Sequence, residues 1–200
     1  MKIYGDTQSG NCYKIKLILS LLNQKAQYQW VHMDILAGET QRLEFLKINP
    51  NGKIPVLELK SGQTLTESNA ILNYLAHNSN FLPEDNFTRA HVLQWQFFEQ
   101  YSHEPFIAVA RFINKYLGLP EDKKDEYLAK QEGGHKALLV MEEQLKKTDF
   151  LVGNTVSIAD ISLYAYTHVA HEGGFDLSLY HHIQQWLNRI SSLPHYIEMK

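Results

Sequence analysis

Cysteine is nearly absent from this chain: one occurs in 200 residues, at position 12. A single cysteine excludes an internal disulfide framework and is typical of a protein kept in a reducing compartment. An excess of positive charge is also absent, since 19 Lys and Arg stand against 22 Asp and Glu, a formal net charge of -3. This balance argues against nucleic acid or an anionic membrane as partner, because both usually select a basic face.

Long apolar runs are lacking as well. No stretch is long enough to span a bilayer, and the amino end lacks the basic segment and apolar stretch of a secretory signal. What the chain does contain is 44% hydrophobic residues over 200 positions, enough for a sizeable core in one or two domains. We therefore expect a cytoplasmic globular protein.

The first 80 residues alternate strand and helix signals, in the order βαβ followed by αββα. Strands are predicted over 2–5, over 27–34 and after the Asn-Pro-Asn-Gly turn at 49–52, with helices over 11–23, 40–47 and 66–77. After 81–86 only helical periodicity continues, over 87–117, 123–147, 156–172 and 179–194. This break predicts an α/β domain at 1–80 and an all-α domain at 87–200.

Two local signals stand out in the predicted helical domain. Pro105 should kink or restart the long helix over 87–117, because proline removes a hydrogen bond inside a helix. Ser157 is placed to cap the helix over 156–172, and Asp160 can reach back to it, a capping box with Asp in place of Glu.

The stretch SGNCYK, which begins at Ser9, stands where the first strand gives way to a helix. A thiolate at such a helix start is stabilised by the helix dipole and by hydroxyl or amide donors. Ser9 and Asn11 are both donors of this kind. Cys12 lies one step inside the helix, where it is either a buried, inert side chain or a reactive thiol, and the buried interpretation is favoured.

Two further segments carry groups that bind peptide-like ligands. Pro55 opens a strand, which favours an ordinary trans bond at a sheet edge, whereas a cis bond would turn the N–H and C=O of Ile54 outward to pair with an extended peptide. Glu67 and Ser68 stand at a helix start. The free N–H groups there and the Ser68 hydroxyl can hold a carboxylate, and Glu67 can hold an ammonium. The alternative for Ser68 is simple helix capping.

These segments, with FLKINPNGKIPVLE, LTESNAILNYLA and FLVGNTVSIADISL, make the chain resemble a cytosolic glutathione S-transferase of bacterial type over essentially its whole length. The resemblance implies a thioredoxin-like α/β domain that binds glutathione, followed by an all-α domain with the pocket for the electrophile. It also implies a homodimer. Glutathione would be the co-substrate, a small electrophile or a disulfide the second substrate, and no metal is expected.

The resemblance implies roles for the residues near the thiol. Ser9 falls where the serine-type classes theta, zeta and delta keep the hydroxyl that stabilises the glutathione thiolate. Asn11 matches the asparagine of a bacterial and fungal branch with disulfide-reductase activity. Cysteine-type classes place their cysteine at the position of Ser9, which counts against a mixed disulfide on Cys12. Ser9 and Asn11 both remain candidate catalytic groups.

The remaining contacts to glutathione follow from the same resemblance. Ile54, before a cis Pro55, would pair with the cysteinyl backbone of glutathione. Glu67 and Ser68 would hold the γ-glutamyl end, and Lys53 the glycine carboxylate.

The resemblance is less complete at two places. Some theta-like members contact the glycine carboxylate through a histidine where this chain has Thr40, and Arg42 is the candidate substitute. For the electrophile pocket, the long helix that faces the glutathione sulfur in the family carries Tyr101, His103 and Arg111.

The function these observations predict is glutathione transfer to a small electrophile. A glutathione-dependent disulfide reductase or peroxidase on the same scaffold is the alternative that Asn11 favours. A non-catalytic binding protein of this fold is the third. Ten histidines raise the question of a metal site, but no HExxH motif or cysteine–histidine cluster is present, so solvated or capping histidines are expected.

Overall fold

The computed structural model describes residues 1–24 and 28–199. The chain divides into two compact units, Met1–Ser79 with Pro194–Lys200, and Asn80–Leu193. The C-terminal segment, which the sequence analysis grouped with the helical domain, belongs to the first unit. There the Tyr13 hydroxyl donates to the carbonyl of Ile197 at 2.7 Å.

The first unit, over its described residues, combines a four-stranded sheet with three α-helices. The strands are β1 (Lys2–Gly5), β2 (Gln29–His32), β3 (Val56–Glu58) and β4 (Thr64–Leu65), and the helices are α1 (Gly10–Leu21), α2 (Leu43–Leu46) and α3 (Ser68–Leu75). The strand order is β2-β1-β3-β4, with β1 parallel to β2 and the other pairs antiparallel. The predicted thioredoxin-like fold is confirmed. The strand predicted over 27–34 is shorter, and its first residue, Gln27, lies outside the described residues.

The topology brings three segments to one edge of this sheet. β3 runs antiparallel to β1 with Tyr4 opposite Val56, so β3 starts beside the end of β1. β4 runs antiparallel to β3 with Leu57 opposite Leu65, so β4 ends at that edge too. The residues that precede α1, β3 and α3 therefore share one edge of the sheet.

The second unit is built from α4 (Asn86–Phe98), α5 (Glu104–Arg111), α6 (Lys124–Leu145), α7 (Ile158–Thr167) and α8 (His181–Ser191). A π-helical turn over Glu99–His103 joins α4 to α5, and Pro105 follows it at once. The regular α-helix is therefore interrupted just before Pro105, which has no N–H to donate, and this is the predicted restart of the helix. In the described part of the chain, no helix is both long and apolar enough to cross a membrane.

The glycine pair in α6 allows two aromatic rings to pack closely against the helix backbone. A Cβ on Gly133 would lie 2.2 Å from the ring of Phe106, and a Cβ on Gly134 would lie 2.3 Å from the ring of Phe175. Both rings therefore pack against bare helix backbone. This packing offsets the helix propensity that two glycines lose, about 1 kcal/mol each relative to alanine.

The start of α7 is the predicted capping box. The Ser157 hydroxyl accepts from the Ala159 N–H at 3.2 Å, while Asp160 Oδ2 accepts from the Ser157 N–H at 2.8 Å. Asp160 Oδ1 also accepts from the Leu151 N–H and from Trp186 Nε1–H, both at 2.9 Å. One fully buried carboxylate thus ties the start of α7 to the preceding loop and to α8.

Candidate active site

Ser9 is the N-cap residue of α1. Its Oγ accepts from the Cys12 N–H at 3.4 Å, and its own N–H donates to the Asp6 carbonyl at 3.3 Å. The hydroxyl acts as acceptor in the cap, and it also hydrogen-bonds the Cys12 side chain, an interaction that opposes the effect of burial on the Cys12 pKa. The half-buried Ser9 side chain is thus a hydroxyl donor at a helix start, where the dipole favours an anion.

Cys12 is fully buried. A Cβ placed on Gly5 would lie 2.8 Å from the Cys12 Sγ, so the sulfur packs closely against the β1 backbone. Burial raises the pKa of the Cys12 thiol to about 12. The thiol is protonated at neutral pH, which supports the interpretation of Cys12 as an inert side chain.

We expect Cys12 to be alkylated by iodoacetamide in the folded protein about 100-fold or more slowly than in the denatured chain, because only the thiolate reacts. Intact-mass spectrometry over time, with and without denaturant, measures both rates. Similar rates in the two states would contradict the inert interpretation and place this thiol among the reactive groups.

Glu67 occupies an unusual backbone conformation at the start of α3. It is the N-cap residue, with φ 65° and ψ 115°, and its exposed side chain makes no capping bond. A left-handed conformation costs a non-glycine residue about 1–2 kcal/mol and often marks a functional position. Ser68 is the first helical residue and is buried, so the capping role considered for Ser68 is wrong.

Lys14 joins the starts of α1 and α3 in a closed hydrogen-bond network. Its Nζ donates to Asn11 Oδ1 at 2.8 Å and to Ser68 Oγ at 3.1 Å. Ser68 Oγ in turn donates to Asn11 Oδ1 at 3.0 Å. Lys14 is fully buried, although it lies on a helix whose buried face is otherwise largely apolar.

The chemistry of the three groups fixes each direction in this network. An ammonium only donates, so the atom of Asn11 that faces it must be the carbonyl oxygen, and Ser68 must accept from it. The one hydroxyl hydrogen of Ser68 then goes to Asn11. In this arrangement the Ser68 hydroxyl hydrogen is already used, and the backbone N–H groups at the start of α3 are the donors left for an anion.

The segment before β3 is held by side chains from the neighbouring turn. The Ile54–Pro55 bond is cis, so the trans alternative is wrong. Asn49 Nδ2 donates to the Lys53 carbonyl at 2.7 Å, while the Lys53 side chain is exposed. With the residues that the structure describes, Ile54 forms no backbone hydrogen bond, so its N–H and C=O can pair with a ligand.

Thr40, which stands where some theta-like family members carry a histidine, lies in a short helical turn over Glu39–Gln41. Thr40 is buried within it. Arg42 is exposed and pairs with Glu39 at 3.2 Å, a surface ion pair that contributes little to stability and can rearrange.

The three residues predicted for the electrophile pocket differ in their surroundings. Tyr101 is 83% exposed on the π-helical turn, whereas His103 and Arg111 are buried. Thr167 donates to a backbone carbonyl, so His103 Nε2 donates to the Thr167 hydroxyl at 2.9 Å. Arg111 Nε donates to Glu172. The electrophile contact stays a prediction for all three.

Several of the histidines have structural partners. His168, the C-cap residue of α7, donates from Nδ1 to the Tyr164 carbonyl at 2.7 Å and stacks on the Tyr164 ring, as a capping histidine does. His182 Nδ1 bonds Glu142 at 2.7 Å. Across residues 1–24 and 28–199, no three His, Cys, Asp or Glu are grouped so as to hold a metal ion.

Acidification should destabilise the fold through His168. Burial lowers its pKa from 6.5 to about 4, so protonation favours the unfolded chain. This loss is absent above pH 6.5 and grows as the pH falls toward 4, to ~2–3 kcal/mol. His168→Gln should flatten the pH dependence of urea unfolding in this window, whereas exposed His171→Gln should not. Parallel pH profiles for both variants and the unmodified protein would contradict this.

Two family models match the chain: "Glutathione S-transferase, N-terminal domain" over residues 1–77 and "Glutathione S-transferase, C-terminal domain" over residues 95–194. The chain belongs to the glutathione S-transferase family. Its sheet-containing and helical units correspond to these two domains, and the predicted family and fold are confirmed.

Solved structures and curated proteins of the glutathione S-transferase family resemble it over nearly its full length. A glutathione S-transferase from Pseudomonas fluorescens Pf-5 is 62% identical, with a TM-score of 0.97 over 99% of this chain and 98% of that one. The disulfide-bond oxidoreductase YfcG of Escherichia coli K12 is 30% identical over 186 residues, 90% of this chain and 86% of YfcG. A maleylacetoacetate isomerase from Methylobacterium extorquens AM1, solved with malonate and GSH bound, is 27% identical, with a TM-score of 0.80 over 98% and 94% of the chains.

In this member of the family, the structure brings most of the predicted thiol-site residues to one sheet edge. Ser9 and Asn11 begin α1, Glu67 and Ser68 begin α3, and 53–55 lead into β3. Lys14 is the residue that sequence reasoning missed. The one signal was the spacing, because Lys14 stands three residues after Asn11 and residues that far apart on a helix can meet, although the same helix also carries Lys16.

Proposed function

We propose that the chain is a glutathione transferase, which conjugates the glutathione thiolate to a small electrophile. The observation that carries this proposal is the position of the Ser9 hydroxyl, which caps the start of α1 and can turn its hydrogen from the Cys12 side chain to the sulfur of a bound thiol. Family membership supports a glutathione-dependent reaction of this type.

The same edge of the sheet offers partners for each part of glutathione. The N–H and C=O of Ile54 suit the cysteinyl backbone, as in strand addition. The start of α3 suits the γ-glutamyl carboxylate of glutathione. The exposed Glu67 carboxylate suits the ammonium of the same γ-glutamyl group. The exposed Lys53 suits the glycine carboxylate. These contacts together would hold the tripeptide with its thiol toward Ser9.

The chemistry then needs only a thiolate in position. A free alkyl thiol has a pKa near 8.5 and is mostly protonated at neutral pH. A hydrogen bond from Ser9 and the dipole of α1 favour the charged sulfur, and a shift of one or two pKa units is worth about 1.4–2.7 kcal/mol. The sulfur attacks the electrophilic carbon, the leaving group departs with its electron pair, and the thiol proton passes to solvent. Positioning supplies the rest of the acceleration.

Asn11 supports a second candidate, glutathione-dependent disulfide reduction. YfcG, a relative at 30% identity, is named as a disulfide-bond oxidoreductase. In that reaction a glutathione thiolate attacks a disulfide sulfur and releases one thiolate. A second glutathione then resolves the mixed disulfide, so two glutathiones are oxidised as one disulfide is reduced.

Parallel assays of the purified protein separate the candidates. Conjugation of glutathione to an aryl halide and reduction of a small disulfide by glutathione are measured under the same conditions. We expect conjugation, lowered by Ser9→Ala more than by Asn11→Ala. Disulfide reduction alone, lost in Asn11→Ala, would favour the second candidate. No glutathione binding at millimolar concentration in calorimetric titration would contradict both and favour a non-catalytic role.

We also propose that the protein is a homodimer, as is typical of this family. Light scattering coupled to size-exclusion chromatography measures the mass directly. The expected mass is twice that of the 23.2 kDa chain, and a monomer at micromolar concentration would contradict it.

A further inference from the structure

A buried lysine is the least expected group in the first unit. The Lys14 side chain has no exposed surface, and removal of an ammonium from water is costly unless oxygen atoms replace its hydration. Asn11 Oδ1 and Ser68 Oγ do so at 2.8 Å and 3.1 Å. Both belong to residues assigned to the glutathione site on other grounds.

The network restrains the two side chains that it links. The Oδ1 and Nδ2 atoms of Asn11 branch from one planar carbon, so an Oδ1 held by two donors also fixes the direction of the Nδ2–H donors. Ser68 is held between a donor and an acceptor. An uncharged side chain at position 14 could not hold both oxygens with the strength of a charge-assisted hydrogen bond.

We propose that Lys14 is a positioning residue of the thiol site: its ammonium locks the Asn11 amide and the Ser68 hydroxyl and places a positive charge beneath the bound thiolate. The proposal rests on the proposed glutathione function. Lys14 does not touch the reacting sulfur and acts through Asn11, Ser68 and its field. A positive charge within about 4–6 Å of an acid lowers its pKa by about 1–3 units.

The test measures the pKa of glutathione bound to the protein, from the ultraviolet absorbance of the thiolate across a pH series. In Lys14→Met we expect this pKa to rise by about one unit, a tenfold smaller thiolate fraction at neutral pH. Lys14→Arg keeps the charge and should stay within about twofold of the unmodified protein. Lys16→Met is the matched control, because Lys16 lies on the same helix but over the Trp30 ring, 4.8 Å from its centroid.

Lys14→Gln covers the case in which Lys14→Met does not fold, since it keeps an N–H donor but loses the charge. A folded variant of either kind that binds glutathione with an unchanged thiol pKa overturns the proposal. So does an equal rise in Lys16→Met, which would indicate a general effect of net charge. If the unmodified protein binds no glutathione, the proposed function is wrong, and the role proposed for Lys14 is wrong with it. This outcome differs from an unchanged thiol pKa in the variants, which overturns only the role of Lys14.

Discussion

Replacement of Ser9 by alanine is expected to lower kcat/KM for conjugation of glutathione to an aryl halide by about 10- to 100-fold. This corresponds to the ~1.4–2.7 kcal/mol that one or two pKa units of thiolate stabilisation are worth. Glutathione should still bind, because Ile54, Glu67 and Lys53 are untouched. Steady-state kinetics and a calorimetric titration measure the two effects separately.

Ser9 also caps α1, so its replacement changes stability as well as chemistry. Alanine at an N-cap costs about 1 kcal/mol, whereas glycine there costs only a few tenths. Ser9→Gly should therefore lose activity like Ser9→Ala but keep more of the free energy of unfolding. The exposed Ser61→Ala serves as control for a hydroxyl lost elsewhere. Full activity in a folded Ser9→Gly would remove Ser9 from the mechanism.

Replacement of Asp160 by alanine is expected to lower the free energy of unfolding by about 3–5 kcal/mol. The Asp160 carboxylate accepts from the N–H groups of Leu151 and Ser157 and from Trp186 Nε1–H, all buried. Each buried donor left without an acceptor costs about 1–3 kcal/mol. Urea unfolding followed by circular dichroism measures the change.

Asp85 provides the matched control for Asp160. It also caps a helix, accepting from the Thr88 N–H at 2.8 Å, but its carboxylate is exposed. Water can replace the lost acceptor, so Asp85→Ala should cost only about 1 kcal/mol. Similar losses in Asp85→Ala and Asp160→Ala would show that burial of the Asp160 network contributes nothing beyond capping.

The parts of the fold that the sequence predicted are those with local signals. Ser157 and Asp160 mark a helix start within four residues, and Ser9 precedes an apolar helix directly. Pro105 predicts that the helix restarts, because proline has no N–H to donate to the hydrogen bonds of the helix in which it stands. From such signals the strand and helix order followed, whereas the strand pairing that brings Ser9, Ile54 and Ser68 to one sheet edge comes from the structure.

The parts that it missed depend on distant contacts. Lys14 and Lys16 are alike in the sequence, but Lys14 meets Ser68, 54 residues away, whereas Lys16 lies over Trp30. Gly134 resembles a weak point in α6 until the ring of Phe175 is seen against it. No periodicity encodes such pairings, because tertiary packing decides which polar groups are buried together.

A crystal structure with glutathione bound tests the central claim most directly, because it locates the sulfur. We expect the sulfur within about 3.5 Å of Ser9 Oγ, near the outer limit for a weak hydrogen bond. The tripeptide backbone should pair with Ile54. A sulfur in contact with Asn11 Nδ2 alone would contradict the Ser9 assignment and favour disulfide reduction. A sulfur distant from both would contradict the whole account of the thiol site.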